Sequence, residues 1–191
     1  NKHGFVLASK EHTGITTKMV DSDAVIKLAF DFISSAPEAS FVLNSVGRSI
    51  PDHFHFQGCF DIFPAESATV KIERSENGVY VGRINSWPIE NTFLKSASRK
   101  DIEKAVLEKV RGYISRGYAP DMIDVLFKMH SNREFIVYIF PRVNRNTLKS
   151  SKKGWGVPDV SGFIIVADKK EFENCSESGI HEMLREVGVY G

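Results

Sequence analysis

Two histidines and a glutamine alternate within one short segment, His53-Phe54-His55-Phe56-Gln57. Alternate residues of a strand share a face, so the two imidazoles and the amide would project together while the phenylalanines face the core. Such a row can bind an anion, a metal ion or a reacting phosphorus atom. Two histidines on an exposed strand face are also often merely solvated, so the motif alone leaves both interpretations open.

The residues before this strand are typical of a phosphate-binding loop. Asn44, Gly47 and Ser49 can offer backbone N–H groups and a hydroxyl to phosphate oxygens. Arg48 lies in the same loop. It is either a phosphate clamp or a solvated loop charge, and the sequence does not separate the two.

A metal centre is the weaker interpretation of the histidines. Zinc sites use three or four protein ligands. His12 is available to join His53 and His55, but no cysteine or carboxylate has a matching spacing. Cys59 and Cys175 lie far apart and form no C-x-x-C pair. We therefore expect no metal, no other cofactor and no disulfide framework.

A second concentration of charge lies in the polar, glycine-containing loop 143–158. Its basic residues, with the arginine just before it, are Arg142, Arg145, Lys149, Lys152 and Lys153. The loop could close over phosphate groups as a mobile segment, although a run of charge is usually a solvated surface. We predict Arg142 and Lys153 as phosphate ligands, and favour Arg142 because it follows Pro141 at a strand end.

Composition narrows the function classes. The chain has 191 residues, and 25 Lys and Arg against 24 Asp and Glu give a net charge of +1. This balance argues against a basic nucleic-acid arm or an acidic tail, and no apolar run approaches the ~20 residues that span a bilayer. We expect no nucleic-acid partner, no membrane segment and a cytoplasmic location. The chain begins with Asn1 rather than methionine, which suggests a processed chain or a fragment.

Apolar spacing and capping residues predict the elements that position these side chains. Helices are expected at 22–35, at 99–113 with Ser98 and Asp101 as a capping pair, and at 170–187 with an interruption at Ser178-Gly179. The strands are expected at 5–9, 40–44, 53–60, 69–74, 79–84, 122–129, 134–140 and 162–167. Helix, strand, turn, strand occurs twice, over 22–60 and 99–140. This echo predicts an α+β protein with two similar halves around an antiparallel sheet.

The Asn44-Ser45-Val46-Gly47 loop followed by the His-x-His-x-Gln strand resembles the nucleotidyl-transfer signature of the histidine-triad (HIT-like) superfamily. It is similar, more narrowly, to the branch in which glutamine replaces the third histidine. That branch includes galactose-1-phosphate uridylyltransferase, diadenosine tetraphosphate phosphorylase and GDP-L-galactose phosphorylase, the last being the nearest. A group of uncharacterised bacterial proteins shares the pattern.

Further segments resemble the same branch in the same order. They are Gly4-Phe5-Val6-Leu7, Asn85-Ser86-Trp87-Pro88, Phe140-Pro141-Arg142, Val160-Ser161-Gly162 and Phe172-Glu173. The resemblance implies a single HIT-like domain over 1–191, with a first half at about 1–66 and a second at 67–191. It also implies that an N-terminal portion, which helps to hold base and ribose in the family, is missing.

The resemblance implies roles for the motif. His55 would be the nucleophile that attacks the α-phosphorus, forming a covalent nucleotidyl-histidine that phosphate or a sugar phosphate then attacks. Gln57 would donate its amide N–H to phosphate oxygens, and His53 would orient or polarise the site. Because Gln57 cannot act as a general acid, transfer to an already ionised phosphate is favoured over transfer to water.

The resemblance favours one function and leaves two alternatives open. The first is a nucleotidyltransferase or phosphorylase that cleaves a GDP-hexose-like nucleotide sugar. The second is a dinucleoside polyphosphate (Ap4A-type) phosphorylase or hydrolase, and the third is a non-catalytic nucleotide-binding module. A homodimer is also left open, because histidine-triad proteins often dimerise while this branch carries two halves in one chain.

Overall fold

Strands and helices alternate along the chain in a pattern that builds one large sheet. The computed structural model describes residues 4–8, 20–43, 55–143, 156–166 and 169–188. The strands within these ranges are β1 (Gly4–Ala8), β2 (Ser40–Leu43), β3 (His55–Cys59), β4 (Val70–Glu76), β5 (Val79–Ile84), β6 (Thr92–Ser96), β7 (Ile123–Met129) and β8 (Phe135–Pro141). The helices are α1 (Asp23–Ser35), α2 (Pro64–Ser67), α3 (Arg99–Ser115), α4 (Val157–Val160), α5 (Lys169–Glu173) and α6 (Glu177–Val187), and Pro120–Met122 form one 3₁₀ turn.

The sheet joins two units of the same design. Its strand order is β1-β3-β2-β7-β8-β6-β5-β4, and all the pairings are antiparallel. The units β1-α1-β2-β3 and β6-α3-β7-β8 lie side by side, and β2 pairs with β7 at the join through Val42 and Leu126. The expected α+β fold with two similar halves is confirmed.

Helices cover both faces of the sheet. The apolar stripes of α1 and α3, including Ile33 and Val106, pack against one face with Phe41, Phe56 and Val125. This arrangement follows from the i, i+3, i+4 spacing of apolar residues on each helix. We call this side the α1/α3 face.

The other face is covered by shorter helices. Val42, Leu126 and Tyr138 of the sheet pack there with Val160 of α4 and Leu184 of α6. We call this side the α4/α6 face. Because successive residues of a strand alternate between the two faces, each strand contributes to both cores.

Capping residues set the helix starts as expected. Ser98 precedes α3, and its hydroxyl accepts a hydrogen bond from the backbone N–H of Asp101 at 3.3 Å. The helices expected at 22–35 and 99–113 are both confirmed. The helix expected at 170–187 is instead two helices, because Ser176 caps α6 by accepting from the N–H of Gly179 at 3.1 Å. The interruption therefore lies before Ser178, and the expected one at Ser178-Gly179 is wrong.

One strand of the structure was not predicted from the sequence, and one predicted strand does not form in the described residues. Thr92–Ser96 forms β6, whose residues are almost all buried, so that its sequence shows no alternation. The strand expected at 162–167 does not form over 162–166. Its backbone donors are used locally, because Phe163 N–H bonds the Pro158 carbonyl at 2.8 Å and Ile165 N–H bonds Asp159 Oδ1 at 2.9 Å.

Candidate active site

His55 is the first residue of β3, in a strand that lies between β1 and β2. Its side chain is buried, with 5% exposure, and Gln57 is half-buried. Phe56 between them packs into the α1/α3 face. Gln57 pairs with Val42, a residue of the α4/α6 face. His55 and Gln57 therefore share the α4/α6 face, as the alternation predicts.

The remaining motif residues lie outside the described residues. They are the predicted catalytic His53, the predicted phosphate ligands Asn44, Gly47, Arg48, Ser49 and Lys153, and His12. Their roles stay predictions.

The described ends that flank these segments converge at one end of the sheet. Ala8 of β1 pairs with His55. Leu43 at the end of β2 pairs with Val125 near the start of β7. The start of β7 pairs in turn with the end of β8 at Pro141, beyond which the basic loop follows. His55 thus lies at the end of the sheet where the predicted phosphate loop and the basic loop both begin or end.

The surface beside His55 is open on one side. Val6 of β1 pairs with Gln57 and is 56% exposed. On the other side, Val157 and Val160 of α4 pack over β2 and β7 and are fully buried. Within the described ranges, Gln57 therefore lies between the exposed β1 side and the buried α4 side of the α4/α6 face.

Arg142, a predicted phosphate ligand, is held inside the end of the sheet. Its Nε lies 2.8 Å from Asp124 Oδ2, and its Nη2 donates to Asp124 Oδ1 at 3.4 Å. The two side chains are 1% and 0% exposed. The Arg142 backbone N–H donates to the Met122 carbonyl at 2.7 Å, and Gly188 after α6 forms a β-bridge with Arg142. Direct contact between Arg142 and a phosphate stays a prediction.

Sequence reasoning missed Asp124. The one signal was a carboxylate within the apolar run Ile123-Asp124-Val125-Leu126-Phe127. Val125 faces the α1/α3 face, so Asp124 faces the same side as His55 and Gln57. A buried carboxylate in such a strand requires a partner, because an unpaired buried charge is costly.

Cys59 lies at the other end of β3 on the same face. Burial, with the carboxylates of Asp61 and Glu66 nearby, raises the pKa of the Cys59 thiol. The Glu66 carboxylate is itself held by the Ser40 hydroxyl at 2.7 Å and the Phe63 N–H at 3.2 Å. Because the thiolate is the reactive form, Cys59 is a poor nucleophile. His55 is the stronger candidate nucleophile on this strand.

Other candidate side chains have structural partners. Trp87 donates its indole N–H to the Val160 carbonyl at 3.1 Å and packs on the α4/α6 face. His130 is exposed in the β7–β8 turn. Within the described ranges, no three His, Cys, Asp or Glu side chains converge in a way that could hold a metal ion.

Two cavities lined by described residues lie away from His55. One of about 620 Å³ opens between β5 and α3, and one of about 940 Å³ lies by the β7–β8 turn at the opposite end of the sheet. The arginines of the first cavity have acidic partners, as in Arg116 with Glu90 at 2.7 Å and Arg83 with Glu73 at 3.2 Å. Neither cavity includes His55 or Gln57.

Comparison with known proteins identifies the architecture. No protein-family model matches the chain, and no curated protein matches it in sequence. Yeast Ap4A phosphorylase Apa2 is similar in structure, with a TM-score of 0.68 and 13% identity over 98% of this chain and 70% of that one. Its complex with Ap4A gives a TM-score of 0.65 and 12% identity over 98% and 69% of the two chains. The chain has a histidine-triad-like fold.

A bacterial structure shares the fold. A DUF4931 family protein from Bacillus cereus has a TM-score of 0.51 and 10% identity, over 96% of this chain and 90% of that chain. At 10 to 13% identity these likenesses show the fold alone, and none of the three structures is a galactose-1-phosphate uridylyltransferase or a GDP-L-galactose phosphorylase. Among the helices that the structure describes, none combines the length and the apolar character that a membrane crossing requires.

Proposed function

We propose that the chain is a phosphorylase-type nucleotidyltransferase that cleaves a dinucleoside polyphosphate through a covalent nucleotidyl-His55. The observation that carries this is the placement of His55 and Gln57 on one face of β3, at the open end of a HIT-like sheet. The substrate class is supported by the similarity to Ap4A phosphorylase. The sequence alone favoured a nucleotide sugar, and the fold shifts the preference to the dinucleotide.

The proposed first step is an in-line displacement. A neutral ring nitrogen of His55 attacks the α-phosphorus, a P–N bond forms, and the P–O bond to the remaining polyphosphate breaks. Imidazole suits this step because the lone pair of its unprotonated ring nitrogen is a good nucleophile. The covalent intermediate divides one difficult displacement into two easier ones.

The second step regenerates the free His55 side chain. An oxygen of inorganic phosphate attacks the phosphorus, a new P–O bond forms, and the P–N bond to His55 breaks. With Ap4A the products are ATP from the first step and ADP from the second. Gln57 donates its amide N–H to the phosphoryl oxygens in both steps.

The other predicted ligands act on the phosphate chain in this proposal. Asn44, Gly47, Arg48 and Ser49 supply N–H groups, a hydroxyl and a cation, and His53 orients the reacting group. Lys153 approaches from the basic loop. The convergence of the described ends Leu43, His55 and Val143 at one end of the sheet supports this grouping.

The test combines product analysis with detection of the intermediate. The protein is incubated with Ap4A, with and without inorganic phosphate, and His55 is examined by mass spectrometry for an adenylyl adduct. We expect ADP and continued release of ATP only when phosphate is present, and without phosphate an adduct on His55 with no more than about one equivalent of ATP per protein. His55→Ala should lose both, whereas His130→Ala, in the exposed turn, should keep both. Full activity of His55→Ala would disprove the mechanism.

A nucleotide-sugar phosphorylase is the second candidate. The His-x-His-x-Gln pattern of residues 53–57 favours it. GDP-hexoses in the same assay distinguish it, since they would release a hexose 1-phosphate. Tight binding of nucleotides with no turnover of either class would instead support the binding-module hypothesis.

A further inference from the structure

We propose that Asp124 is a positioning residue for the nucleotidyl-transfer site, acting through Arg142. The buried Asp124 carboxylate holds the Arg142 guanidinium in one orientation on the α4/α6 face, at the end of the sheet where His55 lies. This inference rests on the proposed function. It adds that Asp124 and Arg142 act together at the nucleotidyl-transfer site.

The first step of the argument is the sheet register. Val42 pairs with Gln57 on one side and with Leu126 on the other. Two residues along β3 and β7 from that level, toward the same end of the sheet, are His55 and Asp124. The two therefore lie level with one strand between them, a backbone separation of about 10 Å.

The second step is the geometry of the pair. Two guanidinium nitrogens of Arg142, at 2.8 and 3.4 Å, contact the two carboxylate oxygens of Asp124. The Nη2–Oδ1 contact is a hydrogen bond and the Nε–Oδ2 contact is an ion pair, so the guanidinium is held against the carboxylate. The Arg142 backbone is anchored by the carbonyl of Met122, in the 3₁₀ turn just before β7, and by the bridge to Gly188. Both ends of the arginine are thus held.

The third step concerns energy. Burying two charges costs desolvation energy that their attraction often does not recover, so an apolar pair of similar volume commonly stabilises a fold as well or better. The surrounding side chains Leu126, Tyr138 and Phe140 are already apolar or aromatic. Folding stability alone therefore gives little reason for charges at this place, whereas a site that handles phosphate gives one.

The fourth step is the chemistry that the pair supports. A guanidinium stays charged at any physiological pH, and its field reaches further through a buried, low-dielectric region than through water. Held against Asp124, whose backbone lies about two strand spacings from His55, the guanidinium favours the negative charge that gathers around the reacting phosphorus. Asp124 balances this cation while the site is empty and prevents the guanidinium from turning toward solvent.

The experiment separates positioning from folding. In Asp124→Leu/Arg142→Met the pair is replaced by apolar side chains, and we expect a melting temperature within about 5 °C of the wild type. The maximal rate of His55 adenylation by Ap4A should fall about tenfold or more, with less than a threefold change in the half-saturating concentration. In the control, Glu90→Gln/Arg116→Gln, an ion pair away from His55 is removed. It should leave the adenylation rate unchanged.

The single variant Asp124→Asn provides a second readout. It leaves a buried guanidinium without its counter-charge, so we expect its melting temperature to fall by about 10 °C. If the Asp124→Leu/Arg142→Met variant folds and its His55 is adenylated at the wild-type rate, the proposal is overturned. If that variant does not fold, Asp124→Asn/Arg142→Gln is measured in its place, and failure of both to fold would show a purely structural pair and overturn it too.

Failure of the proposed function is distinguishable from failure of this inference. If the wild-type protein forms no adduct, calorimetry with ADP replaces the rate measurement. A tenfold weaker affinity of the folded double variant would support a positioning role in a binding site. Equal affinity, or no binding by the wild type, would overturn it.

Discussion

At the scale of single residues, we propose that Gln57 determines whether phosphate or water attacks the His55 intermediate. It shares the α4/α6 face with His55, two residues along β3. A carboxamide donates and accepts hydrogen bonds but does not release a proton near pH 7. Water needs proton transfer to become a good nucleophile, whereas inorganic phosphate is already ionised. Glutamine at this position therefore favours phosphorolysis over hydrolysis.

We predict that Gln57→His shifts the reaction toward water. A histidine here can exchange protons, and general acid–base catalysis commonly contributes about 10²–10⁴-fold. With Ap4A and phosphate both present, we expect the ratio of AMP to ADP formed from the intermediate to rise at least about tenfold. Chromatography of the products measures this ratio.

The matched control for that prediction is Gln57→Met. Methionine removes the amide without adding a titratable group, so both products should form more slowly while their ratio stays near that of the wild type. An unchanged ratio in Gln57→His, with activity retained, would show that the residue does not select the acceptor.

At the scale of elements, local sequence signals predicted most of what positions the site. The alternation of His55, Phe56 and Gln57 predicted which side chains share a face, because the period of a strand is 2. Asn77-Gly78, a pair typical of tight hairpin turns, connects β4 and β5, and both residues have positive φ, 50° and 76°, as the turn requires.

The features that the sequence did not predict, β6 and the pairing of Asp124 with Arg142, have a common physical cause. Both depend on tertiary contacts. β6 is buried between β5 and β8, so its apolar residues carry no period. The pairing of Asp124 with Arg142 depends on the register between β7 and β8 and on the bridge between Arg142 and Gly188. Neither of these contacts can be predicted from the spacing of residues within one strand.

Helix capping provides a prediction at this scale. Ser98 accepts a hydrogen bond from the first turn of α3, whereas Ser22 occupies the same position before α1 and makes no side-chain capping bond. We expect Ser98→Ala to lower the free energy of unfolding by about 1 kcal/mol. Ser22→Ala, the matched control, should cost clearly less. Chemical denaturation measures both, and equal losses would contradict the capping role.

At the scale of the whole molecule, the two halves share a design but not the chemistry. β3 and β8 occupy corresponding places in their units, yet β8 reads Phe135-Ile136-Val137-Tyr138-Ile139-Phe140-Pro141, with no histidine or glutamine. The second half contributes instead the continuous core of the sheet and the buried pair of Asp124 and Arg142. One reactive strand is thus supported by a sheet that spans both halves.

Helix α3 is tied to that sheet by a buried phenol. The Tyr113 hydroxyl lies 2.7 Å from the Thr92 hydroxyl of β6. Burial raises the pKa of Tyr113 to about 12, and burial also raises the pKa of Tyr138 in β8. The native state therefore holds these protons more tightly than the unfolded chain, whose tyrosines ionise near pH 10. Their contribution to stability is complete below about pH 10 and is lost as the pH rises toward 12 and beyond.

We predict that Tyr113→Phe makes the fold less sensitive to alkali. A pKa shift from 10 to about 12 corresponds to a loss of order 2–3 kcal/mol for the wild type across this interval, in addition to the losses from other groups. Urea denaturation at pH 9 and pH 11.5 measures the change for each protein. The variant is less stable at pH 9, because the Thr92 bond is absent, but it should lose less on going to pH 11.5. Tyr80→Phe, at a side chain 47% exposed, should lose as much as the wild type. If all three proteins lost the same free energy of unfolding between pH 9 and pH 11.5, ionisation of the Tyr113 phenol would not contribute to the pH dependence of stability.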